Sequence, residues 1–574
     1  MVESSSISLD KSLLERWKNS NYSADQQIKD LKALHTLYSS RFSFPELEGE
    51  LKQSLVLHIC TTFNESDKEI NELAILLLGL VRILARDKAR SDLACFGPLT
   101  SVLIRKAGLL PLAEPQFNRE LLLEAEKCLI NILFNAHKAR AVFEKDGLVH
   151  LVSRISALNN YIQSSEESAL AQFPYVKHLE EHDLKDLLFF DLKIAFVTSA
   201  QMSSIQEKWA ADSDTTATFL QAVQQAVNNI LLTSIQQPQN EYSAVECHIC
   251  SEALKVLFNV YCHAKLLDVE MAAQCTQQCM SIVQMPDVEW LFEVKQNAVN
   301  LMALTVSTYL ADPATAPLVA PKLSPTESGR KDEVLEGCDM HFVACLLTLF
   351  QQAIDKFGQG REVELLGTFL TVLIHVCTRN KQARRYCRLC VLPPLTAKEV
   401  EHAPESGATL RNKLVRLIQQ ANASNCHQLA AEFLFVLCKR SVNRLIKYCG
   451  FGHSAGLLAN YGFLGAATNM VKSNSDSEDS ETEDYKDVEH RVNPVTGYIP
   501  SESREEQLKR AFESMSEEQK EYEAMKLVDA INKLMDEGVM APATLGPDGR
   551  PQKVEHIAEL VKDVQLERER EDSD

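Results

Sequence analysis

Apolar residues recur at helical spacing along most of the chain. In residues 124–135, EAEKCLINILFN, positions Ala125, Cys128, Leu129, Ile132 and Leu133 fall at i, i+3, i+4, i+7 and i+8, one stripe that predicts a helix with a single buried face. Residues 252–259, EALKVLFN, repeat the pattern with Ala253, Val256, Leu257 and, just beyond, Val260. Both segments read Glu-Ala-x-Lys-x-Leu-x-Asn, from Glu124 and from Glu252, at an offset of 128 residues. A third of that offset is about 43, inside the period of armadillo and HEAT repeats, which predicts two legible copies of a diverged helical repeat with less legible copies between them. Helices of the same grade are predicted at 72–87, 294–306, 365–377 and 429–448.

No segment alternates apolar and polar residues over a sustained run between hairpin turns, so a large sheet is not expected. The fold class is all-α: an armadillo/HEAT-like α-solenoid over residues 1–470, a partly disordered acidic linker over 471–492, and a C-terminal tail over 493–574 with one amphipathic helix near 516–538. Two breaks punctuate the repeat region. Residues 311–336 hold Pro313, Pro317, Pro321, Pro325 and Gly329 and predict a long loop, because proline lacks the amide donor that a helix needs. After Val471 the run SNSDSEDSETED has six acids, no base and no aliphatic residue, and is expected to be disordered or extended. Beyond it, NPVTG (493–497) predicts a turn, and Ser516 and Gly538 an N-cap and a stop for the tail helix. That helix carries Tyr522, Met525, Val528, Ile531 and Met535 as an apolar stripe, which must pack on the solenoid or on a partner.

Polar positions on the repeat helices are also periodic. Lys127, Asn131 and Asn135 lie at i, i+4 and i+8, and Lys255 and Asn259 repeat the first two. They are either a solvated face or a polar ladder along a concave groove whose Asn side chains bond a partner's backbone. Arg82 and Arg86, at i and i+4, leave one helix face together, a pairing that suits bidentate recognition of a carboxylate and is also what two ordinary exposed arginines give.

Charge refines this picture. The 574 residues carry a formal net charge of −20, and 28 Asp and Glu against 13 Lys and Arg fall after residue 472, so −15 of it belongs to the tail. The solenoid is nearly neutral, with a local concentration of Arg379, Lys381, Arg384, Arg385 and Arg388. Such a balance argues against nucleic-acid binding, which needs a concentrated basic surface. At 45% hydrophobic and 24% charged residues most of the chain should fold. The N-terminus lacks the pattern of a secretory signal, and no apolar run approaches the ~18 residues of a membrane span. The expectation is a soluble intracellular chain whose cysteines are mostly buried thiols.

Signals for chemistry are weak. GFGHSAG (450–456) has the spacing G-x-G-x-x-x-G and follows a helix, where a phosphate loop needs a strand before it, so a helix-terminating turn is the better reading. The C-x-x-C pairs Cys247/Cys250 and Cys387/Cys390 are too far apart in sequence for a compact zinc site. No catalytic residue, cofactor or metal is expected. Ser475, Ser477, Ser480 and Thr482 each precede acids in the way acid-directed kinases prefer.

The blocks LVRILARD (80–87), KCLINILFN (127–135), ALKVLFNV (253–260), VLPPL (391–395), AAEFLFVLCK (430–439), IKYCGFGHSAGLLA (446–459), NPVTG (493–497) and SEEQKEYEAMKLV (516–528), in this order, resemble those of the synembryn family. That family comprises chaperones and guanine-nucleotide exchange factors for heterotrimeric G-protein α subunits. The resemblance implies a groove that takes the C-terminal helix of Gα, with Arg82, Arg86, Asn131, Asn135 and Asn259 as groove residues. It implies a tail helix that reaches the nucleotide-binding domain of Gα, phosphorylation of Ser477 and Thr482 by a casein-kinase-type kinase, and a phosphate-receiving patch at Arg384, Arg385 and Arg388. It also implies partners in GDP-bound or nucleotide-free Gα and in a neuronal calcium-sensor protein, a monomeric state, and a cytoplasmic location with recruitment to the cell cortex or plasma membrane. An armadillo scaffold that binds extended peptides is the alternative on the same fold.

Overall fold

The computed structural model describes residues 7–19, 21–45, 47, 49–65, 71–87, 96–110, 118–236, 242–264, 268–311, 333–419, 425–462, 482–500, 516, 519–520, 543–545 and 551–553. In chain order the helices are α1 (Lys11–Lys18), α2 (Ala24–Tyr38), α3 (Gly49–Glu65), α4 (Asn71–Leu84), α5 (Phe96–Lys106), α6 (Arg119–Asn135), α7 (His137–Asp146), α8 (Leu148–Ser164), α9 (Glu181–Gln201), α10 (Ser203–Ala210) and α11 (Ser213–Gln236). They continue with α12 (Tyr242–Cys262), α13 (Val269–Val283), α14 (Phe292–Tyr309), α15 (His341–Phe357), α16 (Leu366–Arg379), α17 (Lys381–Val391), α18 (Leu410–Gln419), α19 (Cys426–Leu437), α20 (Val442–Cys449), α21 (Phe451–Asn460) and α22 (Glu483–Val488). Two short antiparallel hairpins, β1 (Val334–Leu335) with β2 (Cys338–Asp339) and β3 (Ala543–Leu545) with β4 (Pro551–Lys553), are the strand pairs among the described residues.

The chain divides into two compact units. The first holds residues 1–394, 407–445 and 453–474; the second holds 395–406, 446–452 and 475–574, so two stretches from inside the repeat region join the tail. Within the first unit the helices stack in two rows, as a solenoid requires. One row runs α2, α4, α6, α9, α12, α14, α16, α19, each packed on the next; the other runs α1, α3, α5, α7, α8, α11, α13, α15, α17. The stripes read from sequence are the buried faces: Ala125, Cys128, Leu129, Ile132, Leu133, Ala253, Val256, Leu257 and Val260 are wholly enclosed. Burial of a Leu or Ile side chain contributes roughly 1.5–3 kcal/mol, so each turn of these helices is held by its stripe.

Three details differ from the sequence reading. Only α9 separates α6 from α12 in its row, so the 128-residue offset contains two repeat steps and not three of about 43 residues. The steps are long because α8, two 3-10 turns (Glu167–Leu170 and Pro174–His178) and α10 are inserted. The helix expected over 429–448 is two helices, because Lys439 and Arg440 adopt φ of +55° and the Arg440 amide closes back on the Phe435 carbonyl at 2.8 Å. The loop expected over 311–336 ends in a hairpin whose turn, Glu336–Gly337, has φ of +52° and +76°, the geometry of a two-residue hairpin; residues 312–332 lie outside the described residues.

One buried charge cluster ties three repeats. Arg154 on α8 is fully enclosed and uses all five of its N–H donors: on both oxygens of Asp191 (α9), on Glu126 (α6), on the Ala107 carbonyl and on the Tyr175 hydroxyl. Two carboxyls share one guanidinium, so burial is only half compensated, and it pushes Glu126 up to about 8 despite the attraction of Arg154. Burial pushes the Asp191 carboxyl up as well, although it takes the two-pronged contact from Arg154. Burial likewise pushes the Tyr175 phenol up to about 12.

Candidate functional site

The repeated Glu-Ala-x-Lys-x-Leu-x-Asn signature builds one device twice. In α6, Glu124 takes a 2.6 Å ion pair from Arg82 of α4, Lys127 sits 5.5 Å from the ring centre of Phe190 on α9, and Asn131 donates its side-chain amide to the Arg82 carbonyl at 3.1 Å. In α12, Glu252 pairs with Lys255 at 2.7 Å, Lys255 lies 4.7 Å over Phe196 of α9, and Asn259 donates to the Phe196 carbonyl and the Ser199 hydroxyl at 3.3 and 3.1 Å. Asn135 donates to the Ala85 carbonyl at 2.7 Å. The last carbonyls of a helix have no partner inside it. Here Asn131 and Asn135 supply one at the end of α4, while Asn259 bonds the Phe196 carbonyl within α9, so the polar periodicity stitches neighbouring helices together.

The arginine pair is engaged in the same way. Arg82 reaches forward to Glu124, while Arg86 reaches back, donating to the Ser39 carbonyl at the end of α2 at 2.9 Å and lying 5.6 Å from the exposed Phe42 ring. The two guanidinium groups therefore do not form one open fork, as their i, i+4 spacing suggested. Each is half-buried, as are Asn131, Asn135 and Asn259, so all five remain at a surface with some of their donors committed.

The basic run at 379–388 is also less open than its composition. Arg384 donates to the Cys377 carbonyl at 2.9 Å, Arg385 pairs with Glu336 at the tip of the hairpin, and Arg388 is buried. Arg388 is thus not available as a surface receptor, because α17 turns it inward together with Ala383, Cys387 and Val391. Of the C-x-x-C pairs, Cys247, Cys250 and Cys387 are buried and Cys390 is exposed; burial pushes the Cys247 thiol up to about 12, the mark of an inert thiol.

In the second unit, residues 482–500 lie as a strap on 395–406 and 446–452. Thr482 caps α22, accepting from the Tyr485 amide, and its hydroxyl donates to the Leu395 carbonyl. Asp484 accepts from the Ala397 amide at 2.9 Å, which with other hydrogen bonds holds its carboxyl low, and Lys447 lies 4.4 Å over the buried Tyr485 ring. The acidic run thus ends in a helix, where sequence led us to expect disorder or extension; Ser477 lies outside the described residues. NPVTG is a turn, with Gly497 donating to the Asn493 carbonyl at 2.7 Å, and it meets GFGHSAG directly: the carbonyls of Pro494 and Val495 accept from Phe451 and Gly452 at 2.8 and 2.9 Å. Gly450 ends α20 at φ +79°, so the glycine-rich run is a helix stop whose following helix is capped by the turn. Sequence separation hid this pairing, and only the two glycines hinted at a close approach.

Ser516 and Gln519 form a reciprocal cap, the Gln519 amide donating to the Ser516 hydroxyl at 3.2 Å, as expected for the start of the tail helix. Its stripe residues Tyr522, Met525, Val528, Ile531 and Met535 lie outside the described residues. Among the described residues no group of three His, Cys, Asp or Glu is placed to hold a metal ion, and no helix is long and apolar enough to cross a membrane.

A family model described as guanine nucleotide exchange factor synembryn matches residues 77–550. Chaperone ric-8 of Caenorhabditis elegans is 34% identical over 559 residues, covering 92% of this chain and 93% of its own. Chaperone ric-8 of Caenorhabditis briggsae is 34% identical over 521 residues, covering 86% and 88%, and chaperone Ric-8A of Gallus gallus is 31% identical over 579 residues, covering 96% of each. Among solved structures, a SYS-1/POP-1 complex covers 80% of this chain and 89% of its own at 10% identity and a TM-score of 0.24, too loose a superposition to argue from.

Proposed function

The chain belongs to the synembryn family of guanine nucleotide exchange factors, and on that footing we propose that it binds heterotrimeric G-protein α subunits, chaperones them as they fold and promotes their release of GDP. The observation that supports this most is the reach of the match, residues 77–550, which takes in the helical repeats, the strap and the start of the tail together. The activity requires no bond-making residue. A partner that binds nucleotide-free Gα more tightly than the GDP-bound form weakens GDP binding by the same factor, through linkage. If the repeat surface draws the last helix of Gα away from its own domain, the nucleotide pocket loses a wall and GDP leaves; GTP reverses the order. Covering an apolar helix of an unfinished domain also suppresses its aggregation.

In this reading Arg82, Arg86, Asn131, Asn135 and Asn259 meet the C-terminal helix of Gα by exchanging an internal hydrogen bond for an intermolecular one, and the stripe Tyr522, Met525, Val528, Ile531 and Met535 covers the nucleotide-binding domain. An acid-directed kinase of the casein-kinase type modifies Ser477 and Thr482, and Arg384 and Arg385 receive the phosphates. A phosphate on Thr482 can still accept from the Tyr485 amide but has no proton for the Leu395 carbonyl, so the modified strap must shift its contacts. Recruitment to the cell cortex follows from Gα itself, and a calcium-sensor protein is a further partner to test.

The deciding experiment measures GDP release from purified Gα with and without the protein, together with complex formation on gel filtration. Faster release and a complex that is lost when the last Gα helix is deleted support the reading. Unchanged release with no complex refutes it, and capture of disordered peptides instead would favour a peptide scaffold. Changing Arg82 and Arg86 together to Ala should weaken Gα capture with the fold intact; unchanged affinity would return the pair to a purely helix-stitching role.

A further inference from the structure

Glu336 occupies a guanidinium that the reading above assigns to phosphate. It is the first turn residue of the β1–β2 hairpin and sits at φ +52°, a left-handed conformation that two-residue hairpin turns ordinarily give to Asn or Gly. Its carboxylate pairs with Nη1 of Arg385 on α17, 49 residues along the chain. The neighbouring acids of the hairpin are committed elsewhere: Glu333 lies 2.8 Å from His341 Nδ1, and Asp339 accepts from the His341 amide at 2.8 Å.

Two features make the pair displaceable. The Arg385 and Glu336 side chains are 32% and 47% exposed, so water and salt screen their attraction and a more strongly charged anion can take the carboxylate's place. The carboxylate also leaves Arg385 Nε buried without an acceptor. A guanidinium holds an anion best when two of its N–H groups donate in parallel, and a phosphate supplies both the oxygens and the charge for that. Lys381, exposed and one turn before Arg385 on the same face of α17, adds a second cation, while Arg384 keeps Nη1 on the Cys377 carbonyl at 2.9 Å.

We propose that Glu336 is an internal competitor for phosphate at Arg385, a carboxylate latch at the hairpin tip that a phosphorylated acidic segment must displace before α17 can hold it. This rests on the reading of Arg384 and Arg385 as phosphate receivers and adds what regulates them. An unmodified acidic segment offers only carboxylates, which have no advantage over the one already tethered by the chain. A phosphate brings about twice the charge and three acceptor oxygens. The latch therefore sets a threshold that modification crosses and acidity alone does not.

The test titrates a peptide of residues 473–486, phosphorylated on Ser477 and Thr482, into the intact unphosphorylated protein at fixed salt. Glu336→Gln should bind it about threefold to fivefold more tightly than the parent. Glu336→Asn, which suits the turn, should show the same gain, and the gain should vanish in an Arg385→Gln background. Equal affinity of the parent and both variants would overturn the latch while leaving Arg385 a receiver. A gain that persists without Arg385 would be a general effect of charge and would overturn it too. If neither the parent nor Glu336→Gln prefers the phosphopeptide to the unmodified peptide, the phosphate-receiver reading fails, and the latch with it. Inorganic phosphate should compete only at about a hundredfold higher concentration than the peptide; competition at equal concentration would overturn a peptide segment as the occupant.

Discussion

Glu126→Gln isolates the electrostatics of the buried Arg154 cluster. Burial raises the Glu126 carboxyl to about 8, against an ordinary value of 4.5 in an open chain. The folded protein therefore holds a proton that the unfolded chain releases above about pH 4.5, and the stabilisation from that proton is complete below 4.5. It is lost progressively as pH rises through the folded value near 8, at about 1.4 kcal/mol per pH unit. Over the whole window this amounts to an upper bound of about 5 kcal/mol, since Asp191 and Arg154 share the titration. Glutamine keeps the carbonyl that accepts from Arg154 and replaces the protonated oxygen with an amide, so the variant should be close to the parent at pH 5 and lack the term. The assay is thermal denaturation of both proteins from pH 5 to pH 8.5 in matched salt. The parent's midpoint should fall relative to the variant's across that range. A constant difference between them would refute the assignment of the proton to Glu126, and a variant that fails to fold at pH 5 would show that a carboxylate is required there. Arg154→Met should cost about 3–5 kcal/mol, because it leaves two buried carboxyls without their cation.

Three other outcomes are expected. Asn135→Leu orphans the Ala85 carbonyl at the end of α4 and should cost about 1–3 kcal/mol, read as a lowered thermal midpoint; no change would mean that water replaces the amide. At Gly497, φ is +78° and an added Cβ would lie 2.8 Å from Pro404 Cγ and 3.0 Å from the Gly450 nitrogen, so Gly497→Ala should loosen the strap and speed limited proteolysis near 482–500 while cleavage of α1–α19 is unchanged. Phosphorylation of Ser477 and Thr482 should change the proteolysis pattern of the same strap and raise exchange activity, and Thr482→Val, which removes both the cap and the Leu395 contact, should expose it without kinase treatment.

Much of the fold is legible in the chain because a helix and its buried stripe are local: Ala125, Cys128, Leu129, Ile132 and Leu133 point one way whatever surrounds them, and all five are enclosed. The turn at NPVTG and the stop at Gly450 are readable for the same reason, as backbone preferences of one or two residues. Repeat length was misread, because insertions between helices leave no trace in the stripe's phase. Periodic polar residues are ambiguous in sequence because a solvated asparagine and one that bonds the next helix have the same spacing. Only packing decides that Asn131 and Asn135 close the end of α4, that Arg82 and Arg86 reach in opposite directions and that Arg388 turns inward. The strap on Gly450–Gly452 and the meeting of Glu333 with His341 depend on segments brought together across loops, where the chain's local preferences carry no information about which residue will arrive. The sequence alone determined the class of fold, the family and the surplus of charge in the tail; the tertiary structure decided which of its polar groups are already committed and which remain for chemistry.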